Sequence, residues 1–320
     1  MNVLFITKKS EYESRMSCNH NWLMKQIETK YDVIDESEIK STDIKKYDII
    51  VSDTWPDYTE QIQNYKGNRI LLGKFHQDLW QLYERKLTNI DSDYDFVINR
   101  YNDPKVIDGI ICKDVKRYYI PHHQDFNVYK DWGLEKEYDM ILYGNDWRQL
   151  YPFRWRLFKF LKQTMCNTDE FTTRFIPHPG YCDQSAKNAI RTTELSKEIN
   201  KSWLCLCTSE SHGPFGKYKN PYGSWYSKYM ESSLSGAVII GTMPGEAKEV
   251  YQDDYIDINV HMDNYTILNK IRDALEDKQK LKDMASRVIQ RYKDAKMDIP
   301  NYTNKLNDIF TDALQTIGKK

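Results

Sequence analysis

The stretch Tyr229-Met-Glu-Ser-Ser-Leu-Ser-Gly-Ala-Val-Ile-Ile-Gly-Thr-Met-Pro-Gly-Glu-Ala-Lys-Glu-Val250 decides the fold. It predicts a helix that Gly236 ends, because glycine readily adopts the left-handed conformation that closes many helices. The apolar run 237–240 is typical of a parallel strand that is buried on both faces. The loop Thr242-Met243-Pro244-Gly245 then opens a further helix, and backbone N–H groups at a helix start can hold an anion. This order of elements indicates an α/β protein with an anion-binding loop.

The rest of the chain alternates short apolar runs with amphipathic stretches. The apolar runs predict strands at 3–7, 31–35, 47–52, 69–73, 94–99, 118–121, 138–144, 174–177, 203–208, 237–241 and 255–258. Helical spacing predicts helices at 22–28, 79–87, 152–162, 195–199, 224–234, 267–275, 279–292 and 302–317. Such alternation is typical of parallel sheets that are covered by helices on both faces. The pattern restarts after 124–137, so we expect two Rossmann-like domains.

Composition and charge argue against several classes of protein. The formal net charge is −1, which gives no support to a nucleic-acid-binding protein. No apolar run in the sequence is long enough to span a bilayer. Residues 1–9 predict a strand and lack the features of a signal peptide, so we expect a cytoplasmic protein. Cys205 and Cys207 alternate along a predicted strand, which indicates reduced, structural thiols on one buried face.

Three groups of residues resemble the GT-B glycosyltransferases. The family's order of an acidic helix end, a strand, a glycine turn and a further helix is matched by Glu231, Gly236, Gly245 and Glu249. Ile120-Pro-His-His-Gln-Asp125 resembles the Ile-Pro-Asn-Gly-Val-Asp segment that ends the first domain in many retaining members. Gly73-Lys-Phe-His-Gln-Asp78 resembles their His-Asp element on the acceptor side. The matches follow the family's order over most of the chain, which is most similar to retaining family four.

The resemblance implies two Rossmann-like domains whose parallel sheets face each other across a cleft. It implies an acceptor-binding domain over 1–130, a donor-binding domain over 131–299 and a C-terminal helix, 300–320, that packs back on the first domain. It also implies an enzyme that transfers a hexose from a nucleotide sugar, GDP-mannose or UDP-glucose. The acceptor would be a glycan, a glycoprotein or another hydroxyl compound. We expect transfer with retention and without a metal ion or another cofactor.

The resemblance places the donor site in the second domain. Lys228 lies one helical turn before Glu231 on the same helix face. We assign Lys228 to the diphosphate, as a catalytic residue, and Glu231 to the ribose hydroxyls, whereas the plainer alternative is an exposed Lys–Glu pair. Arg148 and Arg154 are both candidates for the family's phosphate-binding arginine, Arg154 with a catalytic role. The loop 242–245 would supply backbone amides to the same donor.

One departure from the family pattern affects this donor site. The retaining members carry a first Glu eight residues before the second, and here Gly223 stands at that position relative to Glu231. We expect either that Glu210 or His212, in the preceding loop, replaces the missing carboxylate, or that loop amides hold the sugar of the donor. His178, between two prolines after a predicted strand, is a further candidate for donor contact, although its flanking prolines also suit a rigid turn.

His76 is the candidate catalytic residue in the first domain. It follows a predicted buried strand, where α/β proteins bind ligands, so we expect it to contact the substrate or transition state. A structural histidine is the alternative. Asp91-Ser-Asp93 formally matches the Asp-x-Asp motif of metal-dependent GT-A glycosyltransferases, but it lies in an acidic loop where chance matches are common. We therefore predict no metal ligands.

Two other functions stay open at this point. A GT-B-shaped sugar-nucleotide epimerase would need an acid/base pair in the cleft. A non-catalytic two-domain protein that binds a sugar or a nucleotide would bind the donor without consuming it. The basic face of the helix at 152–162 is compatible with association with a membrane surface, and the sequence is compatible with a homodimer.

Overall fold

The computed structural model describes residues 1–7, 24, 26–52, 70–76, 91–100, 108, 111–144, 151–167, 171–177, 190, 192–208 and 225–318. The chain forms two compact units. The first unit comprises Met1–His122 and Ile299–Lys320, and the second unit comprises His123–Asp298. The predicted joint at 124–137 belongs to the second unit. The predicted domain bounds, 1–130, 131–299 and 300–320, stay a prediction.

The first unit contains a parallel sheet of six strands in the order β2-β1-β3-β4-β5-β6. The strands are β1 Val3–Thr7, β2 Asp32–Asp35, β3 Ile49–Ser52, β4 Leu71–His76, β5 Phe96–Asn99 and β6 Lys116–Tyr119. Each hydrogen-bonded pair runs parallel. The inner strands are buried on both faces, as the continuous apolar runs predicted. Two short 3-10 turns, Glu36–Ser41 and Ile44–Lys46, connect β2 to β3.

The fourth strand differs from its prediction. We expected it to end at Gly73, but β4 continues to His76. A Cβ atom at position 73 would lie 2.4 Å from Cζ of Phe96 on the neighbouring strand. The phenylalanine ring therefore fills the space above the glycine and lets the strand continue. We expected His76 to follow the strand, but it is the last residue of β4.

A C-terminal helix, Ile299–Thr316, packs on the sheet of the first unit. Its buried positions Tyr302, Leu306, Phe310 and Ala313 recur at helical spacing. The Phe310 ring lies 5.9 Å from the Phe5 ring, 5.6 Å from the Tyr31 ring and 6.3 Å from the Phe96 ring. The helix thus contributes a large part of the apolar core of this unit.

The second unit contains a parallel sheet of five strands in the order β11-β10-β9-β7-β8. The strands are β7 Tyr138–Gly144, β8 Thr173–Pro177, β9 Ser202–Cys207, β10 Val238–Gly241 and β11 Ile256–Asp257. The helices are Pro152–Asn167, Thr192–Asn200, Ser227–Leu234, Lys248–Tyr251, Asn264–Glu276 and Lys278–Asp294. Most of the helices that were predicted in this unit are longer than the predicted ranges. The helix predicted at 224–234 instead begins at Ser227.

The stretch that decides the fold behaves as predicted over its first half. Gly236 follows the helix Ser227–Leu234 with a φ of 80°, a conformation that suits glycine. The strand β10 then lies between β9 and β11 with every residue buried. The loop after β10 leads only into a 3-10 turn, Gly245–Ala247, and a four-residue helix, Lys248–Tyr251. The further helix that the sequence predicted after the loop is thus present and is four residues long.

Two further observations concern the helices. The helix predicted at 79–87 lies outside the described residues. Among the helices that the structure describes, none combines the length and the apolar character needed to cross a membrane.

Removing the Phe310 ring tests the contribution of the C-terminal helix to the first unit. Phe310→Ala should lower the free energy of unfolding by about 3–5 kcal/mol, because it leaves a cavity between three aromatic rings. Urea unfolding measures this change. Gln315→Ala, on the exposed face of the same helix, should change the free energy by less than about 0.5 kcal/mol. Equal effects of the two substitutions would contradict this packing.

Candidate active site

The candidate site of the second unit lies at the carboxyl ends of its parallel strands. The strand β7 ends at Gly144, β9 leads into Thr208, and β10 leads into Thr242. Open parallel sheets bind ligands at this edge. Gly144 has a φ of 94°, which a residue with a side chain rarely adopts. The chain therefore turns sharply where β7 meets the site.

Two cationic side chains approach this turn. A Cβ atom at position 144 would lie 3.8 Å from Lys228 Nζ and 3.9 Å from Arg154 Nη1. Lys228 Nζ donates a hydrogen bond of 2.6 Å to the carbonyl oxygen of Tyr143 and lies 4.3 Å from the centre of the Tyr143 ring. Burial lowers the pKa of Lys228, and the nearby Arg154 cation acts in the same direction. The ammonium group is thus held in place by the last residues of β7.

Arg154 is fixed from the opposite side of the turn. The helix Pro152–Asn167 carries it, and its side chain is buried. Nε donates to Thr208 Oγ1 at 3.0 Å and Nη2 donates to the Thr208 carbonyl oxygen at 2.7 Å. The guanidinium also lies 4.3 Å from the centre of the Tyr151 ring. Arg154 therefore links the helix to the end of β9 while Nη1 points toward Gly144.

Glu231 lies one helical turn beyond Lys228 and is not the exposed partner of a surface pair, since only 7% of the residue is exposed. Gln124 Nε2 donates to Oε1 at 3.2 Å, and the Tyr143 hydroxyl donates to Oε2 at 3.2 Å. Burial raises the pKa of the Glu231 carboxyl, and hydrogen bonds from Ser227 and Tyr143 offset this rise only in part. The carboxyl group is therefore held rigidly in surroundings that disfavour its charge.

Gln124 and Tyr143 are functional candidates that the sequence analysis missed. Both side chains contact Glu231, and Gln124 is fully buried. The backbone N–H of Gln124 donates to the carbonyl oxygen of Met297 at 3.0 Å, which fixes the segment that carries it. Tyr143 lies near the carboxyl end of the predicted strand 138–144, and that position was a signal. Gln124 belongs to the segment 120–125 that resembles the family, but we predicted no contact for it.

The loop Thr242–Gly245 lies beside this cluster. The Tyr229 hydroxyl donates to the Thr242 carbonyl oxygen at 2.5 Å. Met243 is half-buried, Pro244 is buried and Gly245 is exposed. Apart from Gly245 itself and its chain neighbours, no atom of the described residues lies within 4 Å of the position that a Cβ atom would take at Gly245, so a ligand could approach its backbone. The helix that follows has only four residues and therefore supplies a small dipole.

A layer of small polar groups and thiols packs beneath the charged side chains. Cys205 and Cys207 are free and buried on the same face of β9, with their sulfur atoms 3.9 Å apart. Ser232 Oγ lies 3.1 Å from Cys205 Sγ and 3.7 Å from Cys207 Sγ. The prediction that both thiols share one buried face is confirmed.

Four predicted donor residues, Arg148, His178, Glu210 and His212, lie outside the described residues. Their roles stay predictions. The structure brings together Lys228, Arg154 and Glu231.

The first unit carries a second group of buried polar side chains at the carboxyl end of β4. His76 Nε2 lies 2.6 Å from Asp91 Oδ2, and the two side chains are 3% and 6% exposed. A carboxylate only accepts hydrogen bonds, so Nε2 carries the proton and Nδ1 of the neutral ring has a free lone pair. Nδ1 is buried and has no hydrogen-bond partner among the described residues. Asp91 has a φ of 66°, which asparagine and aspartate tolerate better than most residues.

Asp91 thus has a different role from the one its motif suggested. In the Asp91-Ser-Asp93 triplet the first carboxylate orients His76, a contact that the sequence analysis did not predict. No group of three or more His, Cys, Asp or Glu side chains in the described parts of the chain is arranged to hold a metal ion.

Comparisons with known proteins give no match by sequence family. The chain matches no protein-family model and no curated protein.

Solved structures of similar fold nevertheless span almost the whole chain. Sucrose-phosphate synthase from Thermosynechococcus elongatus is 9% identical with a TM-score of 0.67, and the match covers 98% of this chain and 99% of that one. Anabaena HepE in complex with UDP-glucose is 13% identical with a TM-score of 0.58, covering 98% of this chain and 100% of that one. A glycosyltransferase from Rickettsia africae is 9% identical with a TM-score of 0.60, covering 98% and 99%. This chain has the GT-B fold, and the predicted resemblance is confirmed at the level of the fold.

The raised pKa of Glu231 makes stability depend on pH. Between the ordinary value of 4.5 and the raised pKa, the folded protein binds more protons than the unfolded chain, so its stability falls as the pH rises. Glu231→Gln has no carboxyl group to ionise. The free energy of unfolding of Glu231→Gln relative to the parent should therefore increase as the pH rises from about 4.5.

Urea unfolding of both proteins at a series of pH values measures this difference. Glu249→Gln removes an exposed carboxylate from the same unit and controls for the change in net charge. A difference between Glu231→Gln and the parent that stays constant with pH would contradict the proposed environment.

Proposed function

We propose that this protein is a glycosyltransferase that transfers a hexose from a nucleoside diphosphate sugar to a hydroxyl acceptor. The observation that carries the proposal is the approach of Lys228 and Arg154 to the turn at Gly144. Two cations at the carboxyl edge of a parallel sheet, with Glu231 one helical turn away, form a site suited to a nucleoside diphosphate. HepE, whose fold is similar, binds UDP-glucose in its solved structure.

In this proposal the two cations stabilise the leaving group. Cleavage of the bond between the sugar and the diphosphate leaves negative charge on the phosphate oxygens. Lys228 and Arg154 are already held by Tyr143 and Thr208, so they need little reorganisation when that charge develops. Both cations can therefore do the work that a metal ion does in other transferases, and we propose a reaction without a metal.

Glu231 would bind the nucleoside part of the donor. Its two oxygens already accept hydrogen bonds from Gln124 and Tyr143, which fixes the orientation of the carboxyl group. Each carboxylate oxygen has two lone pairs, so ribose hydroxyls can donate to the same oxygens. The exposed backbone of Gly245 would contact the sugar or the phosphates. Glu231 and the loop 242–245 thus complete the donor site on the second unit.

His76 would act on the acceptor side, in the first unit. Asp91 fixes the ring so that the unprotonated Nδ1 faces away from the carboxylate. The family resemblance favours retention, in which the donor phosphate receives the acceptor proton and His76 only contacts the substrate. The buried His76–Asp91 pair favours a second candidate, transfer with inversion, in which Nδ1 accepts the proton of the attacking hydroxyl.

The remaining details of the proposal follow the family resemblance. GDP-mannose and UDP-glucose are the proposed donors, and a glycan, a glycoprotein or another hydroxyl compound is the proposed acceptor. Free thiols at Cys205 and Cys207 support a reducing, cytoplasmic compartment.

Nucleotide binding tests the proposed donor site. Lys228→Met should weaken the binding of UDP or GDP by about 1.5–3 kcal/mol, because a charged hydrogen bond to the diphosphate is lost. Isothermal titration calorimetry measures the affinity. Binding of uridine or guanosine, which lack phosphates, should not change. Lys248→Met removes an exposed cation of the same unit and serves as the control. If Lys228→Met binds both diphosphates as the parent does, the site is misplaced.

Kinetics test the role of Asp91. If Nδ1 of His76 accepts the proton of the attacking hydroxyl, Asp91→Asn should lower kcat by about 100-fold, because the uncharged amide no longer stabilises the protonated ring. If His76 only contacts the substrate, kcat should fall far less. The KM for the donor should stay unchanged, since the donor binds the other unit. The assay follows acceptor-dependent release of the nucleoside diphosphate, a reaction that neither an epimerase nor a binding protein performs.

Asp93→Asn is the matched control for Asp91→Asn, because it removes the other carboxylate of the same triplet. Equal losses from both substitutions would contradict a specific role of Asp91 and favour the Asp-x-Asp motif as a metal site. The anomeric configuration of the product, read by proton NMR, separates retention from inversion.

A further inference from the structure

Arg100 is a buried cation that pairs with no carboxylate of the described residues. It directly follows β5 in the first unit, and only 5% of the residue is exposed. Its guanidinium lies 5.5 Å from the centre of the Phe75 ring. Nη1 lies 3.2 Å from His122 Nδ1. A guanidinium can only donate, so His122 accepts at Nδ1 and carries its own proton on Nε2.

The other two nitrogens of Arg100 contact no hydrogen-bond acceptor in the part of the chain that the structure describes. These nitrogens, Nε and Nη2, are both buried. Among the arginines in the described part of the chain, Arg100 alone donates to no oxygen atom. The others bond to carboxylates, amides, hydroxyls or backbone carbonyls, as Arg287 does with Asp254 and Arg156 with Val260 and Met262.

The geometry of the unpartnered atoms indicates what would bind them. Nε–H and Nη2–H lie along the same edge of the planar guanidinium and form the fork that binds two oxygens of one carboxylate or phosphate. Both atoms are shielded from bulk water. An ion pair is stronger in such surroundings than in water. The fork therefore binds an oxyanion better than any neutral group.

The position of Arg100 connects this fork to the proposed reaction. Asn99, the preceding residue, is the strand partner of His76 across the pair β4–β5. The fork and His76 thus belong to the ends of neighbouring strands, at the ligand-binding edge of the sheet.

We propose that Arg100 binds an oxyanion, a phosphate or a carboxylate, that is carried by the sugar acceptor. The assignment to the acceptor rests on the proposed function, in which the acceptor contacts the first unit. The oxyanion site itself rests on the unpartnered fork of Arg100.

Binding of simple anions to the full chain tests the site. The melting temperature of the parent should rise with inorganic phosphate or with acetate, and Arg100→Gln should abolish that rise. Arg117→Gln makes the same charge change in the same unit, at an arginine that already pairs with Asp108, and should respond as the parent does. The more effective anion identifies a phosphate-bearing or a carboxylate-bearing acceptor. No response of the parent to either anion would overturn the proposal.

A second variant keeps the test decisive if Arg100→Gln does not fold. Arg100→Lys retains the positive charge but loses the fork, so its affinity for the effective anion should fall at least about tenfold. Calorimetry measures this affinity. An Arg100→Lys protein that binds the anion as tightly as the parent does would show that no fork is involved.

Nucleotide binding separates this inference from the proposed function. Arg100→Gln should bind UDP or GDP as the parent does, because the donor site lies on the second unit. Lys228→Met should keep the response to inorganic phosphate or acetate. If Lys228→Met loses that response and Arg100→Gln keeps it, the anion binds the donor site. That result would overturn the role of Arg100 and leave the proposed function standing.

Discussion

Tyr143 holds Lys228 and Glu231 in position, and the proposed donor site depends on these contacts. Its carbonyl oxygen accepts from Lys228, and its ring lies under the same ammonium group. Its hydroxyl lies 3.2 Å from Glu231 Oε2 and 3.0 Å from Ser232 Oγ. The Tyr143 hydroxyl donates its proton to the carboxylate. Tyr143 thus fixes Lys228 through its carbonyl oxygen and ring, and Glu231 through its hydroxyl.

The sequence was sufficient to predict most of the sheet. Continuous apolar runs such as 237–240 identify buried parallel strands because such strands have no polar face. The predicted end of β4 at Gly73 was wrong. Glycine weakens a strand in isolation, but the ring of Phe96 from the next strand covers Gly73. Contacts between strands therefore override a local preference that the sequence shows clearly.

The candidate site was predictable where its residues share one helix. Lys228 and Glu231 are three residues apart, so helical spacing alone places them together. The partners of these residues were not predictable in the same way. Gln124 lies 107 residues before Glu231, and His76 lies 15 residues before Asp91 in a contact that no periodicity indicates. Such pairs exist only because the tertiary fold brings strand ends and loops to one place.

The C-terminal helix, Ile299–Thr316, has a consequence for how the protein is made. Its side chains complete the apolar core of the first unit, whose sheet is encoded more than a hundred residues earlier in the chain. The ribosome must therefore translate the whole of the second unit before the first unit can close its core. The later part of the chain can finish folding before the earlier part, and the nascent first sheet exposes apolar surface to chaperones throughout that interval.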